Sequence, residues 1–114
     1  WLSRGLGVVY NIHSGSWTSW FYVLSNQILN SGTKLGMNEN DATNLIKGLI
    51  KALPNLINED DTFDELVNKV KSPKGTTEAG LNSLIVDNFD NIIFNAIRQA
   101  TNRSIEISTE LKNE

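Results

Sequence analysis

Apolar residues along this chain recur at intervals of three and four, the spacing that places them on one face of an α-helix. Between Ser19 and Asn30, the positions of Trp20, Phe21, Val23, Leu24, Ile28 and Leu29 predict a first helix. Ser16 or Thr18 is its candidate N-terminal cap and Gly32 its candidate stop. A second helix is expected after Asn38, a candidate N-cap, with Glu39 and Asp41 in the first turn. Carboxylates there meet the positive end of the helix dipole. Ala42, Leu45, Ile46, Leu49, Ile50 and Leu53 form its apolar stripe. Pro54 lacks an amide hydrogen and clashes one turn back, so it ends or kinks this helix.

Asn55 to Asp61 reads as a polar connector. A short helix from about Thr62 to Lys71 is expected to bury Phe63, Leu66, Val67 and Val70. Pro73 then stops helical continuation and places the following residues in a loop. A fourth helix starts near Thr76 or Thr77, with Ala79, Leu81, Leu84 and Ile85 apolar, and Asp87-Asn88 marks a turn. The last helix runs from about Asp90 to Leu111. Ile93, Ala96, Ile97, Ala100, Ser104, Ile107 and Leu111 form a stripe whose small residues allow another helix close approach. No strand alternation of useful length appears. The pattern therefore predicts an all-α helical bundle.

At 114 residues the chain is one domain at most. Its helices carry more apolar stripe than one copy of that length can enclose. Hydrophobic residues at 39% with charged residues at 20% describe a globular, ordered protein. A net charge of −3 leaves no basic surplus to neutralise phosphates, which argues against nucleic acid as a partner. No stretch approaches the roughly 18 apolar residues of a membrane span. The absence of cysteine excludes disulfides, thiolate metal sites and a cysteine nucleophile, and suits a reducing cytoplasm. The opening Trp1–Tyr10 lacks an initiator methionine, and the chain reads as a piece of something longer.

The chemistry concentrates in Ser72-Pro73-Lys74-Gly75-Thr76-Thr77-Glu78-Ala79-Gly80-Leu81. A glycine-containing loop enters a helix start rimmed by two hydroxyls. Amides at a helix N-terminus have no intrahelical partner, and the dipole adds partial positive charge. A carboxylate or phosphate fits on Gly75, Thr76 and Thr77 without any charged side chain. The same residues also suit an ordinary capped helix start after a turn.

This run resembles the signature of the C-terminal domain of pyrroline-5-carboxylate reductase, the last enzyme of proline biosynthesis. The resemblance extends to Ser14-Gly15-Ser16 before an aromatic-rich helix, and to Gly32-Thr33-Lys34-Leu35-Gly36-Met37 as a turn followed by an Ala42-containing helix. In order and interval it covers roughly Tyr10 to Leu111. It implies an interlaced homodimer, or a higher homo-oligomer, that normally follows a nucleotide-binding α/β domain, with residues 1–114 as the helical dimerisation and substrate-binding domain. It also implies that NADPH or NADH serves the full-length parent and that the substrate is a small imino acid. Carried over by position, it assigns Thr77 to the substrate's ring nitrogen as the catalytic residue. It assigns Ser72, Gly75 and Thr76 to the substrate carboxylate. Gly5-Leu6-Gly7 is an incomplete fingerprint with no third glycine, so this chain alone is expected to bind no cofactor and to be inactive.

Two positions depart from the family pattern. Lys74 stands where the family usually has a second glycine, either adding charge near a substrate carboxylate or pointing into solvent. Trp17-Thr18-Ser19-Trp20 follows Ser14-Gly15-Ser16 where the family has glycine, proline, alanine and an aromatic. The alternative reading is therefore a non-catalytic helical dimerisation module of a reductase-like paralogue.

Four further groups read as structural. His13, the lone histidine, is expected to hydrogen-bond beside a tight turn. Trp17, Trp20, Phe21 and Tyr22 suit a subunit interface. Glu59-Asp60-Asp61 is a solvated acidic turn, and Arg98 and Arg103 are expected in ion pairs.

Overall fold

The computed structural model describes residues 9–71 and 74–112, and apart from turns these are entirely helical. After the helical residues Val9 and Tyr10, the described residues form, in order, α1 (Ser14–Lys34), α2 (Glu39–Leu56), α3 (Phe63–Val70), α4 (Thr76–Val86) and α5 (Phe89–Lys112). The described residues divide into two compact units, one of residues 9–17 with 74–112 and the other of Thr18–Lys71. In the first unit α4 packs against α5. In the second, α1, α2 and α3 follow one another through turns.

The turns are set by local hydrogen bonding. Helix α1 ends in a Schellman motif: Met37 N–H donates to Gly32 C=O at 2.9 Å and Gly36 N–H to Thr33 C=O at 3.1 Å. Gly36 has φ +112, open to glycine and strained for any L side chain. The stop is therefore Gly36. Gly32 lies inside the helix, because its carbonyl is the acceptor that Met37 closes on. The start also differs from the expectation. Helix α1 begins at Ser14, with Ser16 and Thr18 inside it, because the His13 side chain supplies the cap.

Asn38 caps α2 as its sequence predicts, accepting from Asn40 N–H at 2.8 Å and Asp41 N–H at 3.3 Å. Pro54 does not end α2, which continues to Leu56. Proline so near the C-terminus removes one ladder bond, and Ile57 N–H still donates to Leu53 C=O at 3.1 Å. Thr62 and Glu65 form a reciprocal capping box at α3, with distances of 3.2 and 3.3 Å. Asp61 ties the preceding turn down, accepting from Asn58 N–H at 2.9 Å and pairing with Lys69 at 3.7 Å. Asn88 joins α4 to α5 with φ +56, a left-handed conformation that asparagine tolerates. Its amide closes α4 on Ile85 C=O, and its carbonyl opens α5 by accepting from Asn91 and Ile92.

Thermal unfolding should register these turns. Asn38→Ala is expected to cost about 1 kcal/mol, and Gly36→Ala roughly 1–3 kcal/mol through strain at its positive φ. Lowered melting temperatures for both, and none for an exposed mid-helix change such as Lys47→Gln, would bear this out.

The apolar faces are present but uncovered. Among the described residues only Ile12 and Ala42 are buried. Phe63, Val67 and Val70, expected in a core, are exposed, Phe63 at 78% and Val70 at 72%. Leu66 alone of that group is half-buried. Periodicity specifies which side of a helix is apolar, whereas burial requires a second surface against it. Leu45, Leu49, Ile50, Leu53 and Leu56 on α2 are likewise exposed. On α5, Arg103 pairs with Glu106 at 2.9 Å and Glu110 at 3.4 Å. The hydrogen bond to Glu106, followed by the charge of Glu110, raises the guanidinium's pKa further. Arg98 departs from expectation by lying 5.7 Å over the Phe94 ring, a cation–π contact in place of an ion pair.

Candidate functional site at the start of helix α4

Gly75 adopts φ +79, ψ 4, a left-handed turn that brings the chain into α4 at Thr76. Having no side chain, Gly75 donates or accepts no capping hydrogen bond. The first ladder bond of α4 runs from Ala79 N–H to Gly75 C=O at 2.9 Å. The amides of Thr76, Thr77 and Glu78 thus precede the ladder and point out of the helix end. No atom lies within 4 Å of the position a Gly75 Cβ would occupy, so its conformation and not crowding calls for glycine. Gly75 and Thr77 are half-buried, while Lys74, Thr76 and Glu78 are exposed.

This geometry presents three amides and two threonine hydroxyls at the positive end of a helix dipole. Such an end favours a small anion and supplies donors to hold it. Gly75, Thr76 and Thr77 come together because they are consecutive. Ser72 and Pro73, like Gly5 and Gly7, lie outside the described residues. Residues 14–17, which include Ser14, Gly15 and Ser16, belong to the same compact unit as α4.

The remaining candidates have structural placements. His13 Nδ1 accepts a hydrogen bond from Gly15 N–H at 2.9 Å, the structural role its sequence context predicts. Trp17, Trp20, Phe21, Leu24 and Ile28 fall on one face of α1, with Phe21 71% exposed. Asp61, read from sequence as solvated, is engaged with Asn58 and Lys69; only the spacing of Asp61 and Lys69 across a helix start hinted at this. No group of His, Asp and Glu suited to a metal ion occurs among the described residues. Nor is any described helix long and apolar enough to cross a membrane.

The fold defines an all-α domain of amphipathic helices joined by capped turns, with an uncapped helix start as its candidate anion site. Residues 9–107 match the family model described as pyrroline-5-carboxylate reductase dimerisation, and the chain belongs to that family. It is 32% identical over 96 residues to a pyrroline-5-carboxylate reductase of Staphylococcus haemolyticus, covering 83% of this chain and 35% of that protein. It is 30% identical over 99 residues to the protein of the same name from Pseudomonas aeruginosa, covering 86% of this chain and 36% of that protein. The Staphylococcus saprophyticus protein of that name is 29% identical over 98 residues, covering 85% of this chain and 36% of its own length. The chain thus spans little more than a third of the length of these relatives. No solved structure matches it.

Proposed function

We propose that residues 1–114 are the helical dimerisation and substrate-binding part of a pyrroline-5-carboxylate reductase, an oxidoreductase that converts 1-pyrroline-5-carboxylate to L-proline. The observation that carries this reading is the family match spanning a left-handed glycine and an uncapped helix start at Gly75–Thr77. In the proposed site the substrate carboxylate is held by Gly75 and Thr76, with Ser72 assigned to the same carboxylate by its place in the family signature. The Thr77 hydroxyl hydrogen-bonds the ring nitrogen and orients the imine. An unperturbed threonine is too weak a base to take a proton, so its contribution is positioning.

NADPH or NADH would supply the hydride in the full-length parent. The described residues of this chain do not fit a dinucleotide: they are helices and turns, with no strand to form the crevice such a cofactor occupies. The nucleotide-binding α/β domain of the parent is proposed to hold that cofactor, and the chain alone is proposed to be inactive. The parent is proposed to be a cytoplasmic homodimer or larger homo-oligomer whose helices bury one another's apolar faces. It has no assigned nucleic-acid or membrane partner.

The test is an assay of the full-length protein with pyrroline-5-carboxylate and each nicotinamide cofactor. Proline formation is the expected result, and no turnover with either cofactor would overturn the reductase reading. Trp17, Thr18 and Lys74 favour a second reading, a non-catalytic dimerisation module of a reductase-like paralogue. Calorimetric titration with proline separates the two, because the module is expected to bind none.

A further inference from the structure

Sulfur is scarce in this chain. It has no cysteine and one methionine, so any chemistry at sulfur falls on Met37. That residue stands in the short connection between α1, which ends at Lys34, and α2, which Asn38 caps. Its backbone amide makes the wider-spanning bond of the Schellman motif, donating to Gly32 C=O at 2.9 Å. Its side chain returns over the same residue: a Cβ on Gly32 would meet Met37 Sδ at 3.7 Å, ordinary van der Waals contact. An apolar contact between these two positions commonly accompanies the motif. Gly32 brings no side chain to it, so the contact falls to the Met37 thioether lying along the helix end. Met37 is also 43% exposed, which leaves its side chain open to a small solute.

From this placement we propose that Met37 is an oxidation site, and that the joint between α1 and α2 is sensitive to hydrogen peroxide. A sulfur lone pair attacks one peroxide oxygen, an S–O bond forms and the O–O bond breaks. The proton of the transferred hydroxyl passes to the departing oxygen, which leaves as water. Sulfur is oxidised by two electrons and the peroxide is reduced by two. The product, methionine sulfoxide, is polar where the thioether was apolar. Lying on the helix end would cost the sulfoxide oxygen part of its hydration, so the side chain swings into solvent and the closure loses its apolar half. Reduction of the sulfoxide restores the thioether, so the change is reversible.

The consequence is confined to one side of the joint. Leu35, Gly36, Met37 and the cap Asn38 are all that separate the two helices. Asn38 holds the start of α2 through its own side chain, accepting from Asn40 and Asp41 N–H. Oxidation therefore loosens the end of α1 and leaves the start of α2 capped.

Hydrogen exchange and peptide mass mapping of the full 114-residue chain test this, with hydrogen peroxide as the probe. Peroxide should add one oxygen atom to the peptide that carries Met37. In the oxidised chain the Met37 amide should exchange about threefold faster, the loss of one small apolar contact. The amides of Asn40 and Asp41 should keep their rates. Met37→Leu retains the apolar contact and has no sulfur, so exchange at that position should stay slow with or without peroxide. Met37→Gln is polar, as the sulfoxide is, and should exchange fast without any peroxide. Met37 left unmodified by peroxide that oxidises free methionine overturns the proposal. An oxidised chain with unchanged exchange at Met37, or an equal peroxide response in Met37→Leu, overturns it as well.

Discussion

Leu49→Asp should break the assembly of this chain and cost most of its helix. Leu49 sits midway along the α2 stripe, flanked one turn away by Leu45 and Leu53, and is 50% exposed in the single chain. A fully buried leucine contributes about 1.5–3 kcal/mol, and an unpaired carboxylate in an apolar contact costs several kcal/mol more. In a twofold interface each substitution appears on both sides. The combined loss, on the order of 5 kcal/mol or more, is comparable with the whole stability of a small domain. The wild-type chain is expected to sediment as a dimer or larger, with an unfolding midpoint that rises with protein concentration. The variant should sediment as a monomer with sharply reduced helical circular dichroism. Lys51→Gln, on the opposite face of α2, should change stability by no more than about 0.5 kcal/mol. An unaltered sedimentation mass for Leu49→Asp would remove α2 from the interface.

The second large effect is expected at Thr77. In the full-length protein Thr77→Ala should lower turnover about a hundredfold, the loss typical of one positioned donor in a polar site. Its melting temperature should hardly move. Thr77 is half-buried at the start of α4, and the first ladder bond there is made by backbone atoms of Ala79 and Gly75. Thr77→Ser, which keeps the hydroxyl, should recover most of the rate. Turnover equal to wild type in Thr77→Ala would take the residue out of the mechanism. The two experiments are independent, since one reads association of a helical face and the other reads chemistry at a helix end.

The helices themselves were legible because their signals are local. Asn38 combines a side-chain acceptor with acidic residues in the following turn, and its cap forms where the sequence places it, whereas Thr62, read as the first residue of a helix, is the cap before it. The Asp87-Asn88 turn was equally readable, since few residues other than asparagine and glycine accept φ +56. Misreadings arose where two signals competed. Gly32 and Gly36 are both plausible stops, and only the pair of hydrogen bonds from Met37 and Gly36 decides between them. Pro54 is a helix breaker by propensity, yet within the last turn it removes too little to end α2. His13 is not a usual cap, so the true start of α1 was passed over in favour of Ser16 and Thr18.

The candidate site was readable as a run of residues, and its shape was not. Ser72-Pro73-Lys74-Gly75-Thr76-Thr77 announces a turn into a helix. Nothing in it specifies that Gly75 takes the left-handed conformation with no side-chain cap, leaving the first amides of α4 directed outward.

What the sequence determined by itself is the set of amphipathic helices and most of their ends, because a helix and its caps depend on residues three or four apart. Family membership belongs with these, since it rests on the same ordered run of turns and stripes. Three-dimensional structure decided which apolar residues lie bare, which acceptor closes each turn, and that Asp61 grips Lys69 and not solvent. Those outcomes depend on atoms that local spacing does not bring together, and hydrophobic burial in particular needs a second surface that no periodicity can supply.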